Sequence, residues 1–185
     1  MEPYSAAPPT EKVETQALDF QAIFNDHGAY VWHSLRRLGI ARADLEDLTH
    51  DVFILVYRQL HQYDPDRPIR PWLFAFAFRK ASEYRRKSYV RLELINGGGD
   101  MVDPRPTALD RVLYQESLEL GHSALAELDI AQRAVFVLHE LDEVPIPEVA
   151  VALGIALNTA YSRLRLARAA FDKAVRRLRL QRGDA

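Results

Sequence analysis

A glycine- and proline-rich break near the middle of the chain limits the fold more than any other feature. Residues 96–100 read Asn-Gly-Gly-Gly-Asp and residues 103–106 read Asp-Pro-Arg-Pro. Such a segment does not easily continue a helix, and it offers little apolar surface to bury. Helical patterns of roughly seventy residues lie on either side of it. The chain is therefore predicted to be all-α, with two small helical domains joined by a flexible linker. The predicted bounds are a mobile N-terminal leader at 1–17, a first domain at 18–90, a linker at 91–114 and a second domain at 115–182.

Composition excludes several classes of protein. Hydrophobic residues make up 48% and charged residues 27% of the 185 residues, which is the ordinary mix of a soluble globular protein. Cysteine is absent, so a disulfide framework, a thiolate nucleophile and a cysteine-ligated metal centre are excluded. No apolar run approaches the length of a membrane-spanning helix, and no secretion signal is visible at the N-terminus. We expect a cytoplasmic protein without membrane insertion.

Positive charge is concentrated in two segments, although the net charge of the chain is only −2. Residues 67–91 contain eight basic residues and one acidic residue, and so do residues 163–182. Two separate basic segments in an otherwise acidic protein indicate two contacts with a polyanion. The alternative is a pair of solvated helix ends, where Lys and Arg are favoured by the helix dipole.

The first domain is predicted to contain three helices. The first covers Leu18 to Leu38 and ends at Gly39, and the second is capped by Asp44. A proline-containing loop follows at residues 63–70, and Pro71 fits the first turn of a third helix. That helix is apolar around its circumference from Trp72 to Phe78 and then basic to Lys87. Its first half is expected to be buried, and its second half to face an anion or water.

The second domain contains the pattern of a helix-turn-helix. Asp129 has capping-box spacing with Gln132 for a helix that reaches about Leu141. A short helix begins near Pro147 and ends at Gly154, and Asn158 is predicted to cap a long basic helix. The exposed residues of that helix could enter a DNA major groove. An ordinary helical hairpin with a solvated face is the alternative.

Taken together, these motifs resemble the extracytoplasmic-function group of the sigma-70 family of bacterial RNA polymerase sigma factors. Residues 46–53, 63–65 and 70–73 are similar to region 2 of that family. The second half is similar to region 4, through residues 124–128, 132–133, 148–150, 153–155, 158–164 and 167–168. The similarity leaves out only the predicted leader and linker.

The resemblance implies a non-enzymatic specificity subunit, with no cofactor, metal or catalytic residue, that directs core RNA polymerase to promoters. Its region 2 would bind the clamp helices of the β′ subunit through Asp47, His50, Asp51, Phe53 and Tyr57. The same region would melt the minus-10 element, and the residues implied are Tyr63, Arg67, Ile69, Arg70, Arg79, Lys80, Ser82, Glu83, Arg86 and Lys87. Extruding a base costs a few kcal/mol, which pocket contacts and phosphate neutralisation must offset.

Region 4 would read the minus-35 element and contact the β flap of the polymerase. The residues implied for DNA are Asn158, Thr159, Tyr161, Ser162, Arg163, Arg165 and Arg168. An anti-sigma factor is the regulator that the resemblance implies.

Two other classes are weighed against this interpretation. A conventional helix-turn-helix regulator would use only the second domain for DNA, and it would bind duplex DNA without polymerase. A di-metal carboxylate enzyme is suggested by two Asp/Glu-x-x-His spacings, at Asp47 with His50 and at Glu119 with His122. The two pairs lie on opposite sides of the glycine-rich break, which disfavours the metal site.

Overall fold

The computed structural model describes residues 19–95 and 119–182, and every regular element in those ranges is helical. The predicted all-α fold is confirmed. The predicted leader lies outside the described residues, as does the predicted linker from residue 96 onward.

The first domain contains three helices, α1 (Phe20–Arg37), α2 (Leu45–Gln59) and α3 (Ile69–Ile95). Short 3₁₀ turns precede and follow α2, at Arg42–Asp44 and Leu60–Gln62. All three helices contact one another, because α1 and α2 each present an apolar stripe and the first half of α3 is apolar all round. Their buried side chains include Val31, Leu35, Leu45, Val52, Val56, Leu73, Phe74 and Phe76. The apolar first half of α3 is buried as predicted.

Local signals set the ends of α1. Asp19 is the N-cap residue, and its Oδ1 accepts a hydrogen bond from the Gln21 amide at 2.9 Å. The helix therefore begins at Phe20, two residues later than predicted. Gly39 follows the C-terminus with φ of +92°, a conformation that favours glycine, so the predicted stop is confirmed.

Asp44 differs from the prediction. It occupies the N-cap position of α2, but its side chain makes no capping hydrogen bond. Its Oδ2 accepts instead from the Tyr84 hydroxyl on α3, at 2.6 Å. The Asp44 carboxylate therefore makes a tertiary contact with Tyr84 and does not cap α2, contrary to the prediction from the local sequence pattern.

The described part of the second domain, residues 119–182, contains four helices. They are α4 (residues 119–126), α5 (Ile130–Phe136), α6 (Ile146–Leu153) and α7 (Leu157–Arg182). The last turn after α5 widens into a π turn over Val137–Leu141.

The predicted caps of the second domain are mostly confirmed. Asp129 Oδ1 accepts from the amides of Ala131 and Gln132, at 2.9 and 3.0 Å. Gly154 ends α6 with φ of +64°. The prediction for Asn158 was wrong, because α7 already begins at Leu157. Asn158 lies inside the first turn, where its carbonyl accepts from the Ser162 hydroxyl at 2.9 Å.

The two domains pack against each other. Their buried apolar residues form one continuous cluster, with Leu38 and Phe74 from the first domain and Val135 and Val149 from the second. Helix α3 contacts α6 directly.

Candidate nucleic-acid interface

Helices α6 and α7 form a helix-turn-helix around Gly154. Ala150 on α6 and Ala160 and Leu164 on α7 are buried between them. The Ile155 amide donates to the Ala150 carbonyl at 2.9 Å, and the Gly154 amide donates to Val151 at 3.1 Å. These bonds satisfy the last carbonyls of α6, and the chain can then turn into α7 without a residue under strain.

The outer face of α7 presents the side chains predicted to read DNA. Asn158, Ser162, Arg165 and Arg168 are exposed, and 53% of Tyr161 is exposed. Thr159 and Arg163 are half-buried. Arg168 is paired within the domain, with its Nη2 2.6 Å from Glu140 Oε1. Within the described part of the domain, Tyr161 and Arg165 are therefore the longest exposed side chains on this face that make no hydrogen bond or ion pair, and they suit base contacts.

A second candidate surface is the loop at residues 63–70 that joins α2 to α3. The Tyr63 ring packs against Trp72 with centroids 4.9 Å apart, and its hydroxyl donates to the Arg67 carbonyl at 2.5 Å. Burial, together with the charge of Asp64, raises the pKa of Tyr63. Arg67 is exposed and forms a weak ion pair with Asp64, at 3.4 Å. The loop is thus shaped around an aromatic pair, the kind of surface on which a base stacks.

A cavity of about 530 Å³ lies beside this loop. Gln62, Tyr63, Arg67, Pro71 and Trp72 line one side of it. The other side is formed by α6, through Pro147, Glu148, Val151 and Ala152. The cavity next to the predicted minus-10 loop is therefore lined by residues of both domains.

Helix α3 carries most of the remaining residues predicted for the minus-10 element. Arg79 is exposed, with its guanidinium 4.4 Å from the centroid of Phe76, and Arg70 lies 5.4 Å from the ring of Tyr30. Glu83, Arg86 and Lys87 are exposed, whereas Ile69, Lys80 and Ser82 are half-buried. The Ser82 hydroxyl donates to the Phe78 carbonyl at 2.8 Å. The basic end of the helix is accessible to a phosphate backbone.

The acidic side of α2 faces solvent. Asp47, His50 and Asp51 are exposed, and 65% of Tyr57 is exposed. Phe53 is buried, with 2% of its surface exposed. Its ring packs edge-on against Phe24 at 4.8 Å and against Phe20 at 6.3 Å. Phe53 thus supports the aromatic cluster beneath Tyr57 and offers no surface of its own to a partner.

An ion pair connects the acidic side of α2 with the basic half of α3. Lys80 Nζ lies 3.1 Å from Asp51 Oδ2, with 20% and 50% of the two side chains exposed. Asp51, which is predicted to bind polymerase, is therefore a direct neighbour of Lys80, which is predicted to bind DNA.

Sequence reasoning missed the polar residues that join the domains. Arg133 is 3% exposed and bonds to the Leu38 carbonyl, while Asp142 accepts from Tyr30 and Arg37. These partners are separated by about a hundred positions along the chain, and no periodicity signals such a pair.

Residues 19–95 and 119–182 contain neither a metal site nor a membrane span. No group of three or more His, Cys, Asp or Glu side chains there could hold a metal ion. Within the same ranges, no helix is long and apolar enough to span a membrane.

Comparison with known proteins identifies the family. The profile described as Sigma-70 region 2 matches residues 23–89, and that described as Sigma-70, region 4 matches residues 121–171. The chain is 30% identical to RNA polymerase sigma factor CnrH of Cupriavidus metallidurans, over 77% of this chain and 79% of CnrH. It is 31% identical to RNA polymerase sigma factor NccH of Alcaligenes xylosoxydans xylosoxydans, over 81% and 83% of the two chains. The chain belongs to the sigma-70 family of RNA polymerase sigma factors, in the extracytoplasmic-function group.

Solved structures agree with this assignment. CnrH in complex with the cytosolic domain of CnrY matches with a TM-score of 0.58 and 29% identity, over 90% of this chain and 89% of that one. The sigma factor RpoE of Bartonella quintana, in complex with the anti-sigma factor NepR, matches with a TM-score of 0.70. At 19% identity, over 85% of this chain and 97% of RpoE, that second likeness shows the fold alone.

Proposed function

We propose that this sigma factor directs core polymerase to promoters by using its two domains on two separate elements. Region 4 reads the minus-35 element through α7, and region 2 melts the minus-10 element with the 63–70 loop and α3. The protein acts by binding and not by catalysis, in the cytoplasm, where the polymerase is. The observation that carries the proposal is the helix-turn-helix, which leaves Tyr161 and Arg165 exposed on the outer face of α7.

The geometry of α7 supports reading by its N-terminal half. Ala160, Leu164 and Ala167 are buried at spacings of three and four, which fixes one face of the helix against its own domain. Tyr161 and Arg165 lie four positions apart on another face and therefore project in nearly the same direction. An arginine at such a position can bond to both acceptors of a guanine.

Region 2 combines an aromatic platform with nearby cations. Tyr63 and Trp72 are packed together, so a base extruded from the duplex could stack on them at little further conformational cost. Arg79, Arg86 and Lys87 lie farther along the same helix and can neutralise the phosphates of the melted strand. We assign the exposed acidic side of α2, with Tyr57, to the β′ clamp helices, and region 4 to the β flap.

An anti-sigma factor is the regulator we propose. The relative CnrH is described in complex with the cytosolic domain of CnrY, and RpoE is described in complex with the anti-sigma factor NepR. The open apolar groove between α1 and α2, lined by Phe24, Ala29 and Trp32, is accessible on the surface.

Run-off transcription tests the proposal. Core enzyme with this protein should initiate from a subset of a genomic fragment library, whereas core alone should not. In that assay Arg165→Ala should reduce initiation from a selected promoter. The expected loss of promoter-binding free energy is about 1–3 kcal/mol, which corresponds to one lost base contact.

Arg179→Ala is the matched control. It removes the same charge from the same helix, 14 residues or about 21 Å farther along. Equal losses for the two variants would indicate general electrostatic attraction and not base reading. Tight binding of duplex DNA without polymerase would favour a conventional regulator instead.

A further inference from the structure

A leucine interrupts the polar outer face of α7. Leu166 has 45% of its surface exposed, and it is not part of the hydrophobic core formed by residues 19–95 and 119–182. It is also not one of the residues that the family resemblance implies for DNA. A single exposed leucine is ordinary on a protein surface, so its position on the helix decides what it can do.

The rotation of α7 places Leu166 beside Arg165 on the outer face. Ala160, Leu164 and Ala167 are buried against the rest of the domain and define the inner face. At about 100° per residue, Arg165 and Leu166 each lie about 50° from the direction opposite to the inner face, one on either side of it. A partner that meets the outer face of α7 therefore meets both of these side chains.

Small residues lie next to Leu166 along the helix. Ser162 is one turn before it and Ala169 is one turn after it, and both are exposed. The Ser162 hydroxyl donates to the Asn158 carbonyl at 2.9 Å, so this side chain is directed along its own helix. Because neither neighbour has a long side chain, a flat surface can approach the methyl groups of Leu166 closely.

A base edge in the major groove suits this arrangement. Helix α7 is the second helix of the helix-turn-helix, and such a helix contacts base edges with its N-terminal residues. Leu166 is its tenth residue, because the helix begins at Leu157. Of the four bases, only thymine presents a methyl group in the major groove. A leucine has no hydrogen-bonding group, so a polar base edge against it would lose its water without replacement.

We infer that Leu166 selects a thymine in the minus-35 element by contacting its C5 methyl group. Arg165, one residue earlier, offers hydrogen bonds to a guanine, and Leu166 adds an apolar contact that depends on the methyl group. This inference rests on the proposed function of α7.

Promoter selection tests the role of Leu166. Core polymerase with the wild-type protein selects active promoters from a library in which the minus-35 element is randomised. The wild type should enrich thymine, on one strand, at a position where Leu166→Ala shows no enrichment. Equal thymine enrichment by the two proteins at every position, or no thymine enrichment by the wild type, would overturn the inference.

Uracil separates the methyl group from the rest of the base, because it forms the hydrogen bonds of thymine but lacks the C5 methyl. Replacing the selected thymine by uracil should weaken binding of the wild-type holoenzyme to the promoter about fourfold, the effect of returning one apolar carbon to water. With Leu166→Ala the same replacement should have no effect, because the methyl group has already lost its partner. A penalty of equal size in both proteins would contradict the methyl contact.

Leu180→Ala is the matched control. Leu180 is 72% exposed on the same helix, 14 residues or about 21 Å beyond Leu166. This variant should keep the wild-type thymine enrichment and the wild-type uracil penalty. Leu166→Met keeps an apolar side chain of similar size and should retain both effects. The helical circular dichroism of all three variants should match that of the wild type, because the substituted side chains are exposed.

Failure of the proposed function gives a different result. A wild-type protein that directs no transcription with core would refute promoter recognition as a whole, and this inference with it. A wild-type protein that transcribes, with the same thymine enrichment in Leu166→Ala, would refute only the role of Leu166. Weaker association of Leu166→Ala with core, without a change in enrichment, would place Leu166 against the polymerase and overturn the inference.

Discussion

Replacing Gly39 by alanine should destabilise the protein more than the backbone conformation alone can explain. Gly39 has φ of +92°, and a Cβ built there would clash with Nη1 of Arg133. The positive φ costs a residue with a side chain about 1–2 kcal/mol. Displacing Arg133 would also break its bond to the Leu38 carbonyl, and a hydrogen bond from a charged group contributes about 1.5–3 kcal/mol.

Gly154→Ala provides the matched control. Gly154 also has a positive φ, at +64°, but a Cβ built there has no atom within 4 Å. Gly154→Ala should therefore lower the free energy of unfolding only by the cost of the positive φ, about 1–2 kcal/mol. Urea denaturation of both variants, followed by far-ultraviolet circular dichroism, measures the difference, which should be about 1.5–3 kcal/mol in excess for Gly39→Ala.

A double-mutant cycle completes the test. In an Arg133→Met background the new methyl group no longer displaces a bonded guanidinium, so Gly39→Ala should cost about as much as Gly154→Ala. Equal free energies of unfolding for the two single glycine variants would refute the reasoning, because the clash would then have no energetic consequence. The same conclusion would follow if the cost of Gly39→Ala did not change with Arg133.

Three further outcomes are expected. Asp51→Arg should weaken association with core polymerase in co-elution, because a like charge would face the basic clamp and the ion pair with Lys80 would be lost. Replacing Arg86 and Lys87 by alanine should reduce the slope of log affinity against log salt for the single melted strand of the promoter by up to about 1.4, at roughly 0.7 per phosphate contact. Burial, with the charge of Arg70, lowers the pKa of His27, so its protonation favours the unfolded chain. Unfolding free energy should therefore fall as pH drops below about 6.5, and less steeply in His27→Gln.

Each of these expectations has a contrary result. Co-elution of Asp51→Arg with core at moderate salt would remove α2 from the polymerase interface. An unchanged salt slope would show that the end of α3 makes no phosphate contacts. Parallel pH profiles for wild type and His27→Gln would mean that other groups cause the loss of stability in acid.

Local signals in the sequence were sufficient for most of the helix ends. Asp129 caps α5, and Gly39 and Gly154 follow α1 and α6 at positive φ, because each of these effects involves residues only a few positions apart. The burial of α3 from Leu73 to Ala77 also followed from the sequence, since a helix that is apolar all round must be covered.

Contacts between residues far apart in the chain could not be predicted from these local signals. Asp44 was predicted as a cap, but Tyr84, forty positions away, takes its carboxylate. Arg133 was counted only as part of a family motif, although it is the buried connection between the domains. A helical pattern shows which face is apolar, but it does not show which of several apolar faces will be its partner.

The candidate site was predictable in outline and less so in detail. The resemblance placed the residues predicted to read DNA on α7, and the structure leaves five of those seven exposed, Tyr161 and Arg165 among them. It also named Phe53 as a polymerase contact, yet that ring is almost wholly covered by Phe20 and Phe24. Motif matching assigns roles to positions, whereas the rotation of each helix decides which side chains can be reached.

The continuity of α3 has a genetic consequence. This single helix of 27 residues contains both the buried core residues of region 2 around Phe74 and Phe76 and the exposed cations that follow them. Lys87 lies eleven residues, or about 16 Å, beyond Phe76. A 10° tilt of the helix, caused by repacking around Phe76, would therefore displace Lys87 sideways by about 3 Å. Selections for altered promoter use should therefore recover substitutions in the hydrophobic interior around Phe74 as well as at the surface, and such mutants would change specificity without touching a base.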